Sequence, residues 1–397
     1  MNGQGTGAGR VVVVGGAAVG AAVACFLASE PGFAGSITVL EPDPSYRYAA
    51  TARSAGSIRQ QFSTPLNIAM SAFGMQFLRE AGARLGTAAE PVDVALVPST
   101  YLHLATAAGA AALDAALRVQ QQCGVPVRRH DRAGLAAAYP WLNTSDLVAG
   151  VDTTAGEGWF DGYALLSALR RAGERRGVEY RRERAAGFER AADGSVAAVR
   201  LASGATLDCD CCVLTAGLGT PPLLAALGVE LPVAARKRTV FVFTCPTPIP
   251  ACPLVIDPGG LWFRAERERF ICGPPLTADP DVAPTDFEVD ERLFSERAWP
   301  ALAHRVPAFE SVRALGSWAG HYDYNRYDQN AFVGPCPGVA RLLLATGFSG
   351  HGLQHAPAIG RGLAELIVHG AYRTLDLAPL SPDRYVRGAP LRELNVI

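Results

Sequence analysis

The spacing of apolar residues near the start of the chain predicts a strand, a helix and a second strand in close succession. Arg10–Val14 is an unbroken run of mostly β-branched residues, which is typical of a parallel strand covered on both faces. A glycine-rich turn follows at residues 15–20, and residues 21–29 have helical spacing. Ser36–Leu40 is a second apolar run that ends at Glu41. This order predicts a βαβ unit with an acidic residue after its second strand.

Each part of this unit has a mechanical role if the unit binds a dinucleotide. Gly15 permits a tight turn off the strand, and Gly20 lets the helix pack against the sheet. The helix N-terminus offers N–H groups and the positive end of its dipole to a pyrophosphate. Glu41 lies about 20 residues further on, where an acid accepts hydrogen bonds from ribose hydroxyls and disfavours a 2′-phosphate. The alternative interpretation is a glycine-rich packing turn.

The middle glycine of the usual pattern is replaced here by Ala17. A methyl group at that point displaces the pyrophosphate slightly outward, or the turn shifts to accommodate it. We still predict nucleotide binding, because the strand, helix and acid surround the turn in the expected order. The predicted contacts are Gly15, Gly16, Ala17, Val19, Gly20 and Glu41.

A second glycine-rich pattern lies near the C-terminus. Leu342–Ala345 predicts a short buried strand, Thr346–Gly352 a glycine-rich turn that can approach a flat ring, and Pro357–His369 a helix. The N-terminus of that helix would point at the turn. Its N–H groups and dipole would then stabilise negative charge on the ring. The alternative is a helix preceded by a glycine-rich loop without a ligand.

Composition narrows the classes of function. With 397 residues and 49% hydrophobic composition, the chain can fill two domains, or one large α/β domain with an insertion. A formal net charge of −1 gives no electrostatic reason to expect nucleic acid or an anionic membrane as a partner. No apolar run reaches the roughly 20 residues of a membrane span. Residues 1–10 lack the order of a signal peptide and predict a flexible leader, so a cytoplasmic location is expected.

The nine cysteines show no disulfide-like spacing. Cys209, Cys211 and Cys212 cluster on a predicted buried strand, and alternation sends the last two to opposite faces. They cannot converge on a metal ion in that arrangement. We therefore expect buried apolar thiols and no metal site.

Two segments carry a resemblance to a known family. Residues 52–62 and 345–360, together with the N-terminal turn, resemble the D-amino-acid-oxidase-like FAD oxidoreductases, in particular the branch of sarcosine oxidase, dimethylglycine dehydrogenase and glycine oxidase. The likeness extends through nearly the whole chain, and the C-terminal block is its most specific part. The resemblance implies an α/β fold, with a Rossmann-like FAD-binding domain assembled from discontinuous segments and an antiparallel-sheet α+β substrate domain. The implied FAD-binding segments are 1–90, 145–220 and 320–397, and the implied substrate segments are 91–144 and 221–319.

The resemblance also implies further contacts with FAD. Residues 215–217 resemble the second glycine turn of the family, Ala185 lies where relatives face the adenine side, and residues 156–165 resemble the segment that re-enters the FAD domain. The additional cofactor contacts expected are Ser54, Ala55, Gly56, Ala185, Ala216, Gly217, Gly347, Gly350, His351, Gly352, Leu353 and Gln354.

Flavin-dependent amine oxidation requires a neutral amine whose α-C–H faces flavin N5, so that hydride leaves to N5 and the imine is hydrolysed or released. A substrate carboxylate needs a fixed cation, ideally a guanidinium. Arg59 is the first candidate for this cation, either toward the substrate carboxylate or toward the flavin itself. Arg264 is the second, on a predicted strand of the sheet that would cover the flavin. Either arginine has an ordinary structural alternative.

The remaining candidates are aromatic. Tyr322 corresponds to a tyrosine that lines the substrate cavity in sarcosine-oxidase relatives, and its neighbour His321 can titrate near neutral pH. His351 is expected at the flavin in a structural role, and His355 is expected near a helix end. Tyr322 and His321 are therefore candidate catalytic residues beside Arg59 and Arg264.

Two departures from the family pattern affect the expected chemistry. Relatives attach FAD through a cysteine in the segment matching Gly320–His321 or through a histidine near Arg53–Ser54, and this chain has neither. We therefore predict non-covalent FAD. The substrate-binding lysine of relatives is Gln354 here, and a neutral amide holds a carboxylate less strongly. Sarcosine itself is therefore doubtful as a substrate, and a larger or differently charged one is allowed.

Three functions remain open at this point. The first is an amine or amino-acid oxidase or dehydrogenase that uses oxygen or another electron acceptor. The second is a 2-hydroxy-acid dehydrogenase, with His321 or His351 as general base. The third is a non-catalytic flavoprotein subunit, because fold alone does not separate these possibilities.

Overall fold

The computed structural model describes residues 9–395, so the leader predicted at residues 1–10 lies outside the described residues except for Gly9 and for Arg10, which belongs to the first strand. Within that range the strands are β1 Arg10–Val14, β2 Ser36–Leu40, β3 Ser57–Ile58, β4 Val97–Ser99, β5 Tyr101–Ala105, β6 Val127–Asp131, β7 Ala149–Thr153, β8 Glu157–Trp159, β9 Glu179–Arg181, β10 Ala185–Arg190, β11 Val196–Leu201, β12 Thr206–Asp208, β13 Cys211–Leu214, β14 Val233–Thr244, β15 Leu254–Ile256, β16 Trp262–Glu266, β17 Arg269–Gly273, β18 Arg313–Asn325, β19 Phe332–Pro335 and β20 Leu342–Thr346. The α-helices are α1 Ala18–Leu27, α2 Pro65–Arg79, α3 Ala81–Leu85, α4 Ala110–Gln122, α5 Arg132–Ala138, α6 Gly162–Glu174, α7 Thr220–Ala225, α8 Trp299–Arg305, α9 Gly352–His369 and α10 Asp383–Val386.

A six-stranded sheet carries the predicted βαβ unit. Its order is β19-β20-β13-β1-β2-β9, and every neighbouring pair is parallel except β19–β20. The strands predicted at Arg10–Val14 and Ser36–Leu40 have those bounds, and their Val11 and Ile37 lie side by side. The predicted β-branched run is therefore a central parallel strand.

Both faces of this sheet are covered, as the apolar run predicts. Val11 and Val13 of β1 belong to a core shared with α1 and α9, whereas Val12 and Val14 belong to a core shared with the small antiparallel sheet β10-β11-β12. Strand alternation also separates the cysteines, because Cys211 lies in the first core and Cys212 in the second. The expectation of buried apolar thiols is confirmed for this strand.

An eight-stranded sheet forms the second large layer, in the order β18-β14-β17-β16-β15-β5-β7-β6. It is antiparallel except for the β15–β5 pair. Phe241, Val255 and Phe263 point to a core that also contains Leu135 of α5 and Leu302 of α8. The opposite face of these strands is left to line the functional cavity.

The predicted start of the C-terminal helix is corrected. The C-terminal helix begins at Gly352, not at Pro357, and Pro357 lies inside it. The helix starts directly after the glycine turn and tolerates a proline that removes one i→i−4 hydrogen bond. The boundary expected at residue 320 falls inside β18, which runs unbroken along β14 from Arg313 to Asn325. The division into two domains remains a prediction.

Two negative findings apply to the described part of the chain. No helix within residues 9–395 is long and apolar enough to cross a membrane. No group of three or more histidine, cysteine or acidic side chains in that range could hold a metal ion.

Candidate active site

A cavity of about 1240 Å³ lies between the two large sheets. Val14 and Leu40, at the carboxyl ends of β1 and β2, form part of one wall, and Tyr101, Val240 and other residues of the eight-stranded sheet form the opposite wall. In open α/β sheets, ligands bind outside the carboxyl ends of the strands. The cavity is therefore in the position expected for a nucleotide.

The nucleotide end is shaped by the first glycine turn. Gly15 has a φ of +98°, which favours glycine, and its N–H donates to the Leu40 carbonyl at 2.9 Å. A Cβ at Gly20 would lie 1.8 Å from the Gly15 carbonyl oxygen, so helix α1 reaches the turn only because position 20 has no side chain. Both glycines thus have the packing roles that the sequence indicates.

Glu41 fixes this turn from the neighbouring strand. Its carboxylate accepts the N–H of Gly16 and the N–H of Asp43, each at 3.0 Å, while burial raises its pKa. Glu41 also lines the cavity. Its predicted contact with a ribose remains a prediction.

The residues present fit the adenosine and pyrophosphate parts of FAD. Ala17 and Val19 bring the N-terminus of α1 to the cavity wall, and the first turn of this helix has no acidic residue. A helix N-terminus without acids is suited to a pyrophosphate. Ala185, Ala216 and Gly217 line the same end of the cavity.

The ring end is shaped by the second glycine turn. Gly350 has a φ of +94°, and a Cβ there would lie 2.5 Å from Cζ of Tyr322. Asp323 accepts the N–H of Gly347 at 2.7 Å through its side chain and that of Ser349 at 3.1 Å through its carbonyl. Burial raises the pKa of Asp323 to about 6. The turn is therefore pressed against strand β18.

Helix α9 starts immediately beyond this turn. Gly352, His351 and Gln354 line the cavity, so the positive end of the helix dipole lies at its wall. Oε1 of Gln354 accepts the backbone N–H of Arg59 at 2.9 Å. His355 faces away, with Nε2 3.1 Å from the hydroxyl of Ser71.

Arg59 is the most buried cation of the cavity wall, with 2% of its surface exposed. Its guanidinium donates to the carbonyl of Gln61 at 2.8 Å, to the carbonyl of Asn395, and to Nε2 of His351 at 3.1 Å. It also lies 4.2 Å from the ring centroid of Phe62. No carboxylate of residues 9–395 lies within 4.0 Å of it. Burial lowers the pKa of Arg59, because desolvation penalises the charged form.

Tyr322 and His321 both line the cavity. Arg238 lies 4.8 Å from the ring centroid of Tyr322, and burial raises the pKa of this tyrosine. His321 packs against Phe287 with 4.4 Å between ring centroids, and burial lowers its pKa. Nε2 of His321 is buried and has no hydrogen-bond partner among residues 9–395. His321 therefore lines the cavity with a lowered pKa, and its unpartnered Nε2 is itself buried.

Arg264 is buried but does not line the cavity. Its guanidinium donates to the carbonyl of Ala55 at 2.6 Å, pairs with Glu266 at 2.6 Å, and lies over the Trp159 ring. These contacts describe a structural arginine that joins the eight-stranded sheet to the loop before β3.

Four residues predicted to contact the cofactor do not line the cavity: Gly16, Gly20, Gly56 and Gly347.

Several wall residues were not identified from the sequence. Tyr101, Val240, Leu254 and Trp262 face the cavity from four strands of the eight-stranded sheet. Strand alternation could have shown that Trp262 and the already chosen Arg264 share a face. It could not show which face meets the cofactor, because that depends on how the two sheets pack.

Comparison with known proteins identifies the family. Residues 10–366 match the DAO family model, described as FAD dependent oxidoreductase. The chain is 40% identical over 423 aligned positions to the FAD-dependent oxidoreductase domain-containing protein 1 of Xenopus laevis, covering 98% of this chain and 84% of that protein. It is 25% identical over 375 positions to the 4-methylaminobutanoate oxidase (formaldehyde-forming) of Paenarthrobacter nicotinovorans, covering 91% of this chain and 44% of that protein.

The fold is also found in a solved structure. The L-proline dehydrogenase of P. horikoshii matches with a TM-score of 0.83 and 22% identity, covering 96% of this chain and 98% of that one. This identity supports a shared fold alone. The family model and the Xenopus relative both extend over most of the chain, and FAD is the cofactor of the family. The chain therefore belongs to the DAO family of FAD-dependent oxidoreductases, which is related to amino-acid and amine oxidases.

Proposed function

We propose that the chain oxidises the C–N bond of a small amine or amino acid whose carboxylate is held by Arg59. The observation that carries the proposal is a buried guanidinium on the cavity wall without a direct carboxylate partner among residues 9–395. An unpaired buried charge is costly, so an anionic ligand is the natural partner. The guanidinium keeps its charge and two unused N–H donors, on Nε and Nη1, each of which can donate to an oxygen of an anionic ligand.

The bound FAD supplies a ring that accepts hydride. The residues of the chain bind and orient the substrate and exclude water around it. Tyr101, which is buried, and Tyr322, which is half-buried, flank the region of Arg59 with aromatic rings. A dry aromatic wall of this kind favours the neutral amine over the ammonium ion, and only the neutral amine releases hydride.

The roof of the cavity favours a small or apolar substituent on the substrate. Val240, Leu254 and Trp262 present apolar surface. The nearby cation Arg238 is already paired with Asp279 through two hydrogen bonds of 2.6 and 3.0 Å. A second negative charge on the substrate would therefore meet an Arg238 that is already paired with a carboxylate.

The second candidate function, oxidation of a 2-hydroxy acid, needs a general base. His351 is poorly suited, because a guanidinium only donates and Nε2 of His351 must accept the hydrogen bond from Arg59. Its pKa is also held well below the usual range by burial and by the charge of Arg59. His321 is the remaining candidate base for that reaction, although its Nε2, unpartnered within the described residues, is buried and must become exposed to meet a substrate.

The test is anaerobic bleaching of the purified yellow protein. A panel should include glycine, sarcosine, D- and L-proline, D- and L-leucine, 4-methylaminobutanoate and aspartate, with lactate and 2-hydroxyisocaproate as hydroxy-acid counterparts. We expect bleaching by amines with apolar substituents and not by their hydroxy-acid counterparts. Bleaching by hydroxy acids alone, or by nothing in a broad panel, would contradict the proposal. Acid precipitation should release the flavin, because we propose that FAD is held non-covalently.

A further inference from the structure

Arg59 is surrounded by two buried carboxylates that do not touch it. Glu157 and Glu393 are each 1% exposed. Burial lowers the pKa of Arg59, and the negative charges of these two residues partly offset that lowering. Neither lies within ion-pair distance of the guanidinium. Each is instead connected to it through one residue of the backbone.

The first connection runs through Gln61. The carbonyl of Gln61 accepts a hydrogen bond from Arg59 at 2.8 Å, and the N–H of the same residue donates to Glu157 at 3.1 Å. The second runs through Asn395, whose carbonyl accepts from Arg59 and whose N–H donates to Glu393 at 3.0 Å. The two connections have the same chemical order: guanidinium, carbonyl, N–H, carboxylate.

Each carboxylate accepts five hydrogen bonds from uncharged donors. Glu157 accepts hydrogen bonds of 2.8 to 3.1 Å from the backbone N–H groups of residues 60, 61 and 101 and from the side chains of Gln61 and Thr153. Glu393 accepts hydrogen bonds of 2.7 to 3.1 Å from Ser63, Thr64, Asn67 and Asn395. Glu157 thus fixes the Arg59 loop to the strand that carries Tyr101.

The connections leave part of the guanidinium available. An arginine has five N–H donors, and three of those of Arg59 are used by Gln61, Asn395 and His351, which leaves two. A direct ion pair would have used the donors that a substrate carboxylate needs. Hydrogen bonds to the two ends of one residue, Gln61 or Asn395, hold the cation near each carboxylate without a direct ion pair.

We propose that Glu157 and Glu393 are positioning residues that orient Arg59 toward an anionic ligand. They act through the two backbone relays, which are the hydrogen-bonded connections at Gln61 and Asn395. The inference rests on the proposed role of Arg59 as the carboxylate-binding cation. It adds that the loop before α2 and the segment at residues 391–395 set the carboxylate affinity together.

The test measures binding of unreactive probes to the FAD-loaded protein by perturbation of the flavin absorption spectrum. Acetate and benzoate report on Arg59, and acetamide and benzamide are uncharged matches for them. Glu157→Gln and Glu393→Gln should each weaken carboxylate binding about tenfold, with little effect on the amides. In an Arg59→Met background the same substitutions should have no effect on carboxylate binding.

A matched control separates positioning from general stability. Glu365 is 0% exposed in α9 and accepts backbone hydrogen bonds from Arg373 and Thr374, both away from the cavity. Glu365→Gln should lower the melting temperature without selective loss of carboxylate binding. If Glu157→Gln does not retain FAD, Glu393→Gln decides the question.

The outcomes distinguish the inference from the proposed function. If the unmodified protein does not prefer acetate to acetamide, the proposed role of Arg59 is wrong. If it does, but both glutamine variants leave carboxylate affinity unchanged or tighter, the relay is wrong. Equal loss for carboxylates and amides, or a loss that persists with Arg59→Met, would also overturn it.

Discussion

The backbone N–H of Arg59 donates a hydrogen bond of 2.9 Å to Oε1 of Gln354, a residue 295 positions further along the chain. This contact joins the loop after the first βαβ unit to the first turn of α9. It also engages the oxygen of the residue that stands where relatives carry a lysine. In the proposed function Arg59 supplies the cation at this end of the cavity, and the hydrogen bond from its N–H to Gln354 helps to fix its position.

Replacement of Arg59 should remove substrate binding while leaving FAD in place. Arg59→Lys retains the charge but loses the planar pair of donors, so we expect kcat/KM for an amino acid to fall about a hundredfold. Steady-state kinetics and the flavin spectrum measure the two effects. Arg292→Lys, at a side chain that is 76% exposed, is the control and should change neither. Unchanged kcat/KM in Arg59→Lys would show that the carboxylate binds elsewhere.

Gly20→Ala should abolish FAD binding. The added methyl group would lie 1.8 Å from the Gly15 carbonyl, so α1 must move away from the turn. We expect colourless protein and at least a hundredfold weaker FAD uptake, about 3 kcal/mol of binding free energy. Gly204→Ala is a matched control, because Gly204 has a φ of +89° but no atom within 4 Å of an added Cβ. It should cost about 1 kcal/mol of stability and remain yellow.

Asp323 should make folding stability depend on pH. Burial raises its pKa from 3.8 to about 6, so the folded protein binds this proton more tightly than the unfolded chain does. Its contribution is fully present below about pH 4 and is lost as pH rises through about 6, with a total of about 3 kcal/mol. Asp323→Asn keeps an acceptor for the Gly347 N–H and removes the titration.

The measurement is urea unfolding of both proteins between pH 4 and pH 7. The free energy of unfolding of the unmodified protein should fall relative to Asp323→Asn as pH rises through this interval. A constant difference between the two proteins across the interval would mean that Asp323 does not titrate there. A difference that grows in the opposite direction would mean that its pKa is lowered.

The segment at residues 274–290 should control cofactor exchange. Phe287 from this segment lines the cavity, and Asp279 attaches the segment to β14 through two hydrogen bonds with Arg238. Asp279→Asn removes a partly buried ion pair, so we expect FAD to dissociate several-fold faster, with the effect largest at low salt. Flavin fluorescence during dilution measures the rate.

Asp290→Asn is the control for that variant. Among residues 9–395, Asp290 forms an ion pair with Arg292, two positions further along the chain, and both side chains are exposed. It should leave the dissociation rate unchanged. Equal rates in Asp279→Asn and Asp290→Asn would show that the ion pair with Arg238 does not hold the segment over the cofactor.

The sequence by itself determined the local elements around the nucleotide end. Arg10–Val14, Ser36–Leu40 and the glycines between them form the strands and turn that their pattern predicts. Cys211 and Cys212 divide between two cores as strand alternation requires. These features follow from backbone sterics and side-chain periodicity, which act over a few residues and can be read from a single chain.

Only the tertiary structure decided the substrate end. The sequence suggested both Arg59 and Arg264 as cations, but packing placed the first on the cavity wall and the second against the Ala55 carbonyl and the Trp159 ring. It also brought Glu157 and Glu393 to either side of Arg59 from distant positions in the chain. Which face of a sheet meets the cofactor, and which charges remain unpaired, depends on contacts between segments hundreds of residues apart. The periodicity of side chains along one segment does not predict those contacts.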